Sequence, residues 1–270
     1  MATDPADRAY ELKNCSYAYR NHPCLVDINL QLHHHRFYGL IGPNGSGKTT
    51  LINLFTGTRV PSSGEVKLRG RSVHTYAKVE LARQLSFVPQ ANTMDFEYTV
   101  EEVVMMGRHP YIGRFQAPRK EDLQHVRRAL ATLDIEHLQH RCVTQLSGGE
   151  RQRVIVARAL AQHTGIMVLD EATASLDVRH AIDIMQALRH KVTGEGTMVI
   201  AAIHDLDLAA AFCDELIVMH QGSVAATGKV DELLTAELLR QIFSVEAEVV
   251  HQAGRPPHIR YGYPHVTIST

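Results

Sequence analysis

Tryptophan is absent from this 270-residue chain, and the four cysteines, Cys15, Cys24, Cys142 and Cys213, form no C-x-x-C pair. That scatter excludes a zinc knuckle, and a disulfide framework does not suit a chain of this length. No apolar run approaches the roughly 20 residues that a spanning helix needs; the longest lies near residues 198–203. Neither sign of charge is in surplus: 28 Lys+Arg face 29 Asp+Glu, for a formal net charge of -1. A nucleic-acid binder would show a basic excess or a basic block. The start carries Asp4 and Asp7 where a signal peptide would have a basic start and an apolar run. These absences predict a cytosolic protein with reduced thiols and no nucleic-acid partner. What is there is 44% apolar and 21% charged residues, which supports a real core. There are also 17 histidines, which raise the question of metal.

Val26, Ile28, Leu30 and Leu32 alternate with Asp27, Asn29 and Gln31, the period of a half-buried strand. Residues 10–19, 64–70 and 85–89 read as further strands. The run from Phe37 to Ile41 is apolar throughout, as in a fully buried strand, and a helix follows over 47–56. Residues 100–106, 120–133 and 150–162 have helical apolar spacing. Beyond them strands at 166–169, 198–203 and 215–219 alternate with helices at 178–191 and 206–213, which implies a parallel sheet with crossover helices. The expectation is an α/β core interrupted by helices, with a strand-rich tail over 245–270 around Pro256 and Pro257.

Gly42-Pro43-Asn44-Gly45-Ser46-Gly47-Lys48-Thr49 fits G-x-x-x-x-G-K-[ST] between a buried strand and a helix. In such a loop backbone N–H groups and a helix N-terminus converge on phosphates. Lys48 would reach the β- and γ-phosphates, and the Thr49 hydroxyl, followed by Thr50, would ligate Mg²⁺. Four apolar residues then deliver Asp170 and Glu171 to a strand's C-terminal end, the edge where open α/β sheets bind ligands. Asp170 would hold Mg²⁺ through its water shell, and Glu171 is placed to polarise an attacking water.

Gln145-Leu146-Ser147-Gly148-Gly149-Glu150-Arg151-Gln152-Arg153 resembles the signature motif of ATP-binding cassette (ABC) ATPases. The resemblance covers about residues 1–230. It implies a P-loop ATPase core with a mainly parallel sheet, an N-terminal antiparallel β subdomain, a helical subdomain at about 91–161, and a small C-terminal appendage at 231–270. It also implies that ATP and Mg²⁺ are sandwiched between two copies, with Ser147, Gly148, Gly149 and Glu150 presented to the partner's γ-phosphate. Tyr19 is similar to the aromatic that stacks on adenine, with Tyr17 as a rival. Gln90 matches the glutamine that touches Mg²⁺ and links to the helical insertion. Ser175-Leu176-Asp177 matches the loop at the dimer seam, and His204 the histidine that contacts the γ-phosphate. Catalysis thus falls on Glu171, His204 and Lys48, and metal binding on Thr49, Gln90 and Asp170. Two departures stand out: Ala172 replaces a common proline after the acidic pair, and His33-His34-His35-Arg36 replaces a Gly-Glu turn.

Three consecutive histidines on a turn cannot easily converge on one ion, so the His33–His35 run reads as an exposed turn. The stretch Gly107-Arg108-His109-Pro110 resembles one in ATPases of importers for iron chelates, haem and cobalamin. The reading that results is a peripheral ATPase on the cytoplasmic face of the cell membrane. Its partners would be a second copy, a polytopic permease and, indirectly, an extracytoplasmic substrate-binding protein. The alternatives are an assembly ATPase, such as one remodelling an iron–sulfur scaffold, or an importer of a metal oxyanion such as molybdate.

Overall fold

The structure, a computed structural model, describes residues 8–20, 22–90, 97–174, 176–252 and 254–262. Strands β1 (Arg8–Tyr19) and β2 (His22–His33) pair antiparallel; β3 (Phe37–Ile41) then runs into helix α1 (Lys48–Phe55). Strands β4 (Ser63–Leu68) and β5 (Arg71–Ser72), helix α2 (Lys78–Gln84) and strand β6 (Leu85–Val88) follow. The helical stretch holds α3 (Val100–Met105), α4 (Lys120–Thr132) and α5 (Gly148–Gln162). Then come β7 (Ile166–Asp170), α6 (Val178–Glu195), β8 (Met198–Ala202), α7 (Leu206–Phe212), β9 (Glu215–His220) and β10 (Ser223–Lys229). The chain ends with α8 (Val230–Leu233), α9 (Ala236–Phe243) and the hairpin β11 (Ala247–Val250) and β12 (His258–Tyr261).

The N-terminal strands form an antiparallel sheet in the order β2-β1-β4-β5. The second sheet runs β10-β9-β3-β8-β7-β6, parallel except for the edge strand β10. Its central strands β3, β7 and β8 are buried at every position, and apolar but for Gly39 and the terminal Asp170, because each apolar residue faces one of two cores. Phe37, Ile41, Met167, Leu169, Val199 and Ala201 point toward the helices α3 to α7. Tyr38, Leu40, Ile166, Val168, Met198 and Ile200 point toward α1 and the antiparallel sheet. Alternation persists as side-chain direction while disappearing as polarity, as expected of a sheet covered on both faces.

Cap chemistry sets the helix ends. Helix α5 begins two residues before the expected 150, because Ser147 and Glu150 form a capping box across its first turn. Helix α6 runs past the expected 191 to Glu195 and stops at Gly196, a left-handed residue. Helices α2 and α8 and strand β10 were not legible in the hydrophobic pattern; α9 was overlooked although Leu238, Leu239, Ile242 and Phe243 recur at helical spacing after the Thr235 cap. Strand β10 alternates only between exposed and half-buried residues; it is a weakly patterned edge that takes its conformation from β9.

Of the expected helical subdomain, residues 97–161 are described and residues 91–96 lie outside the described residues. Of the expected appendage, residues 231–252 and 254–262 are described; Leu234, Leu239 and Ile259 join the same core as Phe37 and Val199. Among the described residues no helix is long and apolar enough to cross a membrane. The His33–His35 run is an exposed turn only in part: His33 closes β2 and is half-buried, His34 is half-buried, and His35, with a left-handed φ of 58°, is exposed in the turn before β3.

Candidate functional site

Strand β3 ends in the glycine-rich loop, and the loop tolerates only glycine at its first position. Gly42 has φ 150°, and a Cβ there would lie 2.3 Å from the Met219 carbonyl oxygen on β9. The loop is closed by Ser46 N–H donating to Pro43 O (3.2 Å) and by Gly222 N–H donating to Ser46 O (3.1 Å). Ser46 is buried and its hydroxyl makes no hydrogen bond. Lys48 opens α1 and is also buried, its ammonium donating to Gly42 O (2.8 Å) and Pro43 O (3.1 Å). Burial pulls that ammonium below the usual lysine range, against the opposing pull of Glu171 and Asp170. The loop is a cradle of donors folded on itself, with a desolvated cation beneath it.

Parallel β7 brings the two carboxylates beside this cradle. Asp170 is buried, and Thr49 Oγ1 donates to its Oδ1 at 3.2 Å. Burial raises its pKa above the usual carboxylate range, while the Thr49 hydroxyl and Lys48 work in the other direction. At Glu171 the chain leaves the strand in a left-handed φ of 52°, a conformation uncommon for a non-glycine residue. Both Glu171 oxygens are held. Gln90 Nε2 donates to Oε2 at 2.6 Å, and His204 Nε2 lies 2.5 Å from Oε1. Gln90 follows β6 and His204 follows β8, so three neighbouring strands present the three side chains at one edge of the sheet. Asn44, Gly45, Gln90, Glu171, His204 and Asp205 line one cleft of about 670 Å³.

The remaining expected residues lie apart from that cleft. Tyr19 is 40% exposed, packs edge-to-face on Tyr17 at 4.9 Å, and has the Arg59 guanidinium 5.6 Å from its ring centre. Thr50 turns its hydroxyl to Cys24 Sγ at 3.1 Å. Ser147 accepts from Glu150 N–H (3.3 Å), and the Glu150 carboxylate accepts from Ser147 N–H (2.8 Å). The Ser147 N–H and hydroxyl hold the Glu150 carboxyl below its usual range. Ser147 and Gly148 are exposed, and a Cβ on Gly148 would meet nothing. Asp177 caps α6 through His180 N–H (2.9 Å). Its neighbours Leu176 and Val178 reach the cleft wall, while Ser175 lies outside the described residues. Among the described residues no cluster of three or more His, Cys, Asp or Glu side chains is arranged to hold a metal ion.

Sequence reasoning missed two sets of residues. Asp205 caps α7, its Oδ1 accepting from Asp207 N–H and Leu208 N–H (both 3.0 Å) directly after His204. An Asp one residue before an apolar helix was the available signal. The second set explains the Gly107–Pro110 stretch as packing. Gly107 lies so close to α5 that a Cβ would sit 2.2 Å from Arg158 O. Buried Arg108 donates to Asp122 Oδ1 (2.9 Å), Ala161 O (2.9 Å) and Gln162 O (3.1 Å), and its guanidinium stacks 4.1 Å from the Tyr111 ring centre. Tyr111 is close by in the chain, but Asp122, Ala161 and Gln162 lie 14, 53 and 54 residues away and left no local pattern.

The chain is similar to known proteins over most of its length. The family model described as "ABC transporter" matches residues 25–174. A cobalamin import ATP-binding protein of Halobacterium salinarum is 42% identical over 83% of this chain; the match spans only 56% of that relative's length. A hemin import ATP-binding protein of Thermobifida fusca is 37% identical over 93% of this chain and 86% of its own. A ferric enterobactin transport ATP-binding protein of Escherichia coli is 35% identical over 88% of this chain and 89% of its own. Among solved structures, a metal-chelate type ABC transporter in an inward-facing conformation superposes with a TM-score of 0.81 at 26% identity, covering 95% of this chain and 98% of that one. A dimeric ATP-binding cassette bound to ADP and Pi gives 0.73 at 28% identity, covering 82% and 98%.

Proposed function

The chain belongs to the ABC transporter family, whose model matches more than half of it, and from that premise we propose that it is the ATP-hydrolysing subunit of an importer. The cargo class is a metal chelate of the iron–siderophore, haem or cobalamin type. The observation that carries the reading is the Glu171 carboxylate, fixed at one oxygen by Gln90 and at the other by His204, beside the phosphate loop.

The cradle suits a triphosphate. Lys48 is desolvated and Ser46 has a buried, unpaired hydroxyl, so an entering anion meets donors that are not shielded by water. Exchanging loop carbonyls for phosphate oxygens would restore the charge balance of the Lys48 ammonium. Thr49, Asp170 and the Gln90 amide oxygen are hard oxygen donors of the kind that hold Mg²⁺. When bound, that ion neutralises charge on the phosphates. Glu171 accepts the proton of, or orients, the attacking water, and its contact with His204 sets the carboxylate's direction. His204 and Lys48 then face the charge that develops on the transferred phosphoryl group.

Ser147 and Gly148 are exposed and lie outside their own chain's cleft. An exposed helix start that takes no part in its own chain's cleft supports the sandwich of two copies, each completing the other's site, with Tyr19 on the adenine and Asp177 at the seam. The permease, and through it an extracytoplasmic substrate-binding protein, would place the protein at the cytoplasmic face of the membrane. The relatives, import and transport ATP-binding proteins, support import over scaffold assembly. Glu171→Gln should abolish steady-state hydrolysis while ATP drives accumulation of dimer on size exclusion; turnover at the wild-type rate would refute the assignment of Glu171. Cargo is tested by pulling down the permease and asking which chelate stimulates hydrolysis in the reconstituted complex.

A further inference from the structure

The C-terminal hairpin is fastened to the helix that carries the His204 turn. In the β11–β12 pair, Val249 faces Ile259. The Ile259 N–H is directed away from β11 and donates to Asp207 Oδ1 on α7 at 2.8 Å. Ile259 itself is buried in the main core, and Pro257 beside it is buried too. The hairpin's other end is tied to α9, where Arg240 Nε and Nη2 donate to the two oxygens of Glu246 at 2.8 and 3.0 Å. A two-stranded hairpin is marginal by itself, so these anchors determine where it sits.

Asp207 is joined to the site by one short path. Its own N–H is bound by the Asp205 carboxylate, and Asp205 follows His204 in the chain and lines the cleft. The next residue, Leu208, lines that cleft as well. Helix α7 therefore presents its first turn to the cleft on one side and to the hairpin on the other. It is a seven-residue helix, too short to hold its place by its own hydrogen bonds.

We propose that Asp207 and the edge of β12 form a clamp that positions the His204–Asp205 turn, making Asp207 a positioning residue for ATP hydrolysis. The clamp gives the hairpin a role in catalysis without contact to the nucleotide. Releasing it lets the first turn of α7 fray, and His204 then leaves the Glu171 carboxylate for part of the time. Nucleotide binding depends on the phosphate loop, which the clamp does not touch.

The inference rests on the ATPase reading, and the test separates the two. Steady-state hydrolysis and amide hydrogen exchange are measured on the full chain for wild type, Asp207→Ala and Asp207→Asn. In Asp207→Ala, kcat should fall roughly tenfold, KM for ATP should stay within about twofold, and the amides of residues 205–208 should exchange faster. Asp207→Asn retains an acceptor oxygen and should recover most of the rate. Unchanged kcat and unchanged exchange in Asp207→Ala overturn the clamp. So does a loss in which KM, kcat and thermal midpoint move together and Asn does not rescue. A wild-type chain that hydrolyses no ATP instead defeats the ATPase reading, while the exchange measurement still tests the clamp.

Discussion

Arg108→Ala is the most informative single perturbation of this fold. The Arg108 and Asp122 side chains are only 5% and 6% exposed, and they meet at 2.9 Å. Truncation leaves a buried carboxylate whose remaining hydrogen bond among the described residues comes from the Arg119 N–H (2.9 Å). It also strips the guanidinium from Ala161 O and Gln162 O at the end of α5. Breaking a buried pair by removing one partner costs about 3–5 kcal/mol. For a chain of this size, each kcal/mol lowers the melting midpoint by about 2–4 °C, so a drop of roughly 6–20 °C is expected. The damage should concentrate where the ties were made, as faster amide exchange across α4 and the C-terminal end of α5. Replacing both partners by apolar residues, Arg108→Met with Asp122→Leu, should recover most of the loss, because no charge is then left buried alone. A single variant within about 1 kcal/mol of wild type, or a double variant no better than the single, would refute the account of Arg108 as a buried staple.

Asp122 also makes the tie sensitive to acid. Burial by itself would raise this carboxyl, but the Arg119 N–H and the Arg108 guanidinium hold it below the usual aspartate range. A depressed folded pKa contributes stability above the unfolded value of about 3.9, and loses it as pH falls through the folded value. Urea titrations from pH 5 to pH 2 should therefore show wild type losing more stability than Asp122→Asn; parallel curves would contradict this. Lys48→Met should leave the nucleotide-free melting midpoint within about 2 °C of wild type or above it, since burial disfavours the ammonium. The same variant should lose the ATP-induced rise in midpoint, which corresponds to about 2.7 kcal/mol at a hundredfold excess over Kd in a binding chain. Differential scanning fluorimetry with and without MgATP reads both effects.

The phosphate loop and the acidic pair were legible because their chemistry is local. Backbone donors, Lys48 and Thr49 come from one continuous turn, and Asp170 and Glu171 from one strand end. The convergence of Gln90 and His204 on Glu171 was not legible in that way. It depends on β6, β7 and β8 being neighbours in the sheet, and the family resemblance named these residues without showing which atoms meet. The Gly107–Pro110 stretch looked like a mark of cargo class. In the structure Gly107 and Arg108 pack against and cap α5, while His109 is exposed, so the buried half of the stretch is explained by packing.

The sequence by itself determined the elements whose patterns are short in range: two-faced buried strands, capped helices and a glycine turn that L side chains cannot occupy. Only the tertiary structure decided that Arg108 reaches across to α4 and α5, that edge strand β10 forms, and that the C-terminal hairpin grips α7. Each of those depends on partners brought close by the packing of distant segments. Their energies come from desolvated pairs and buried edges that do not exist until the chain has folded.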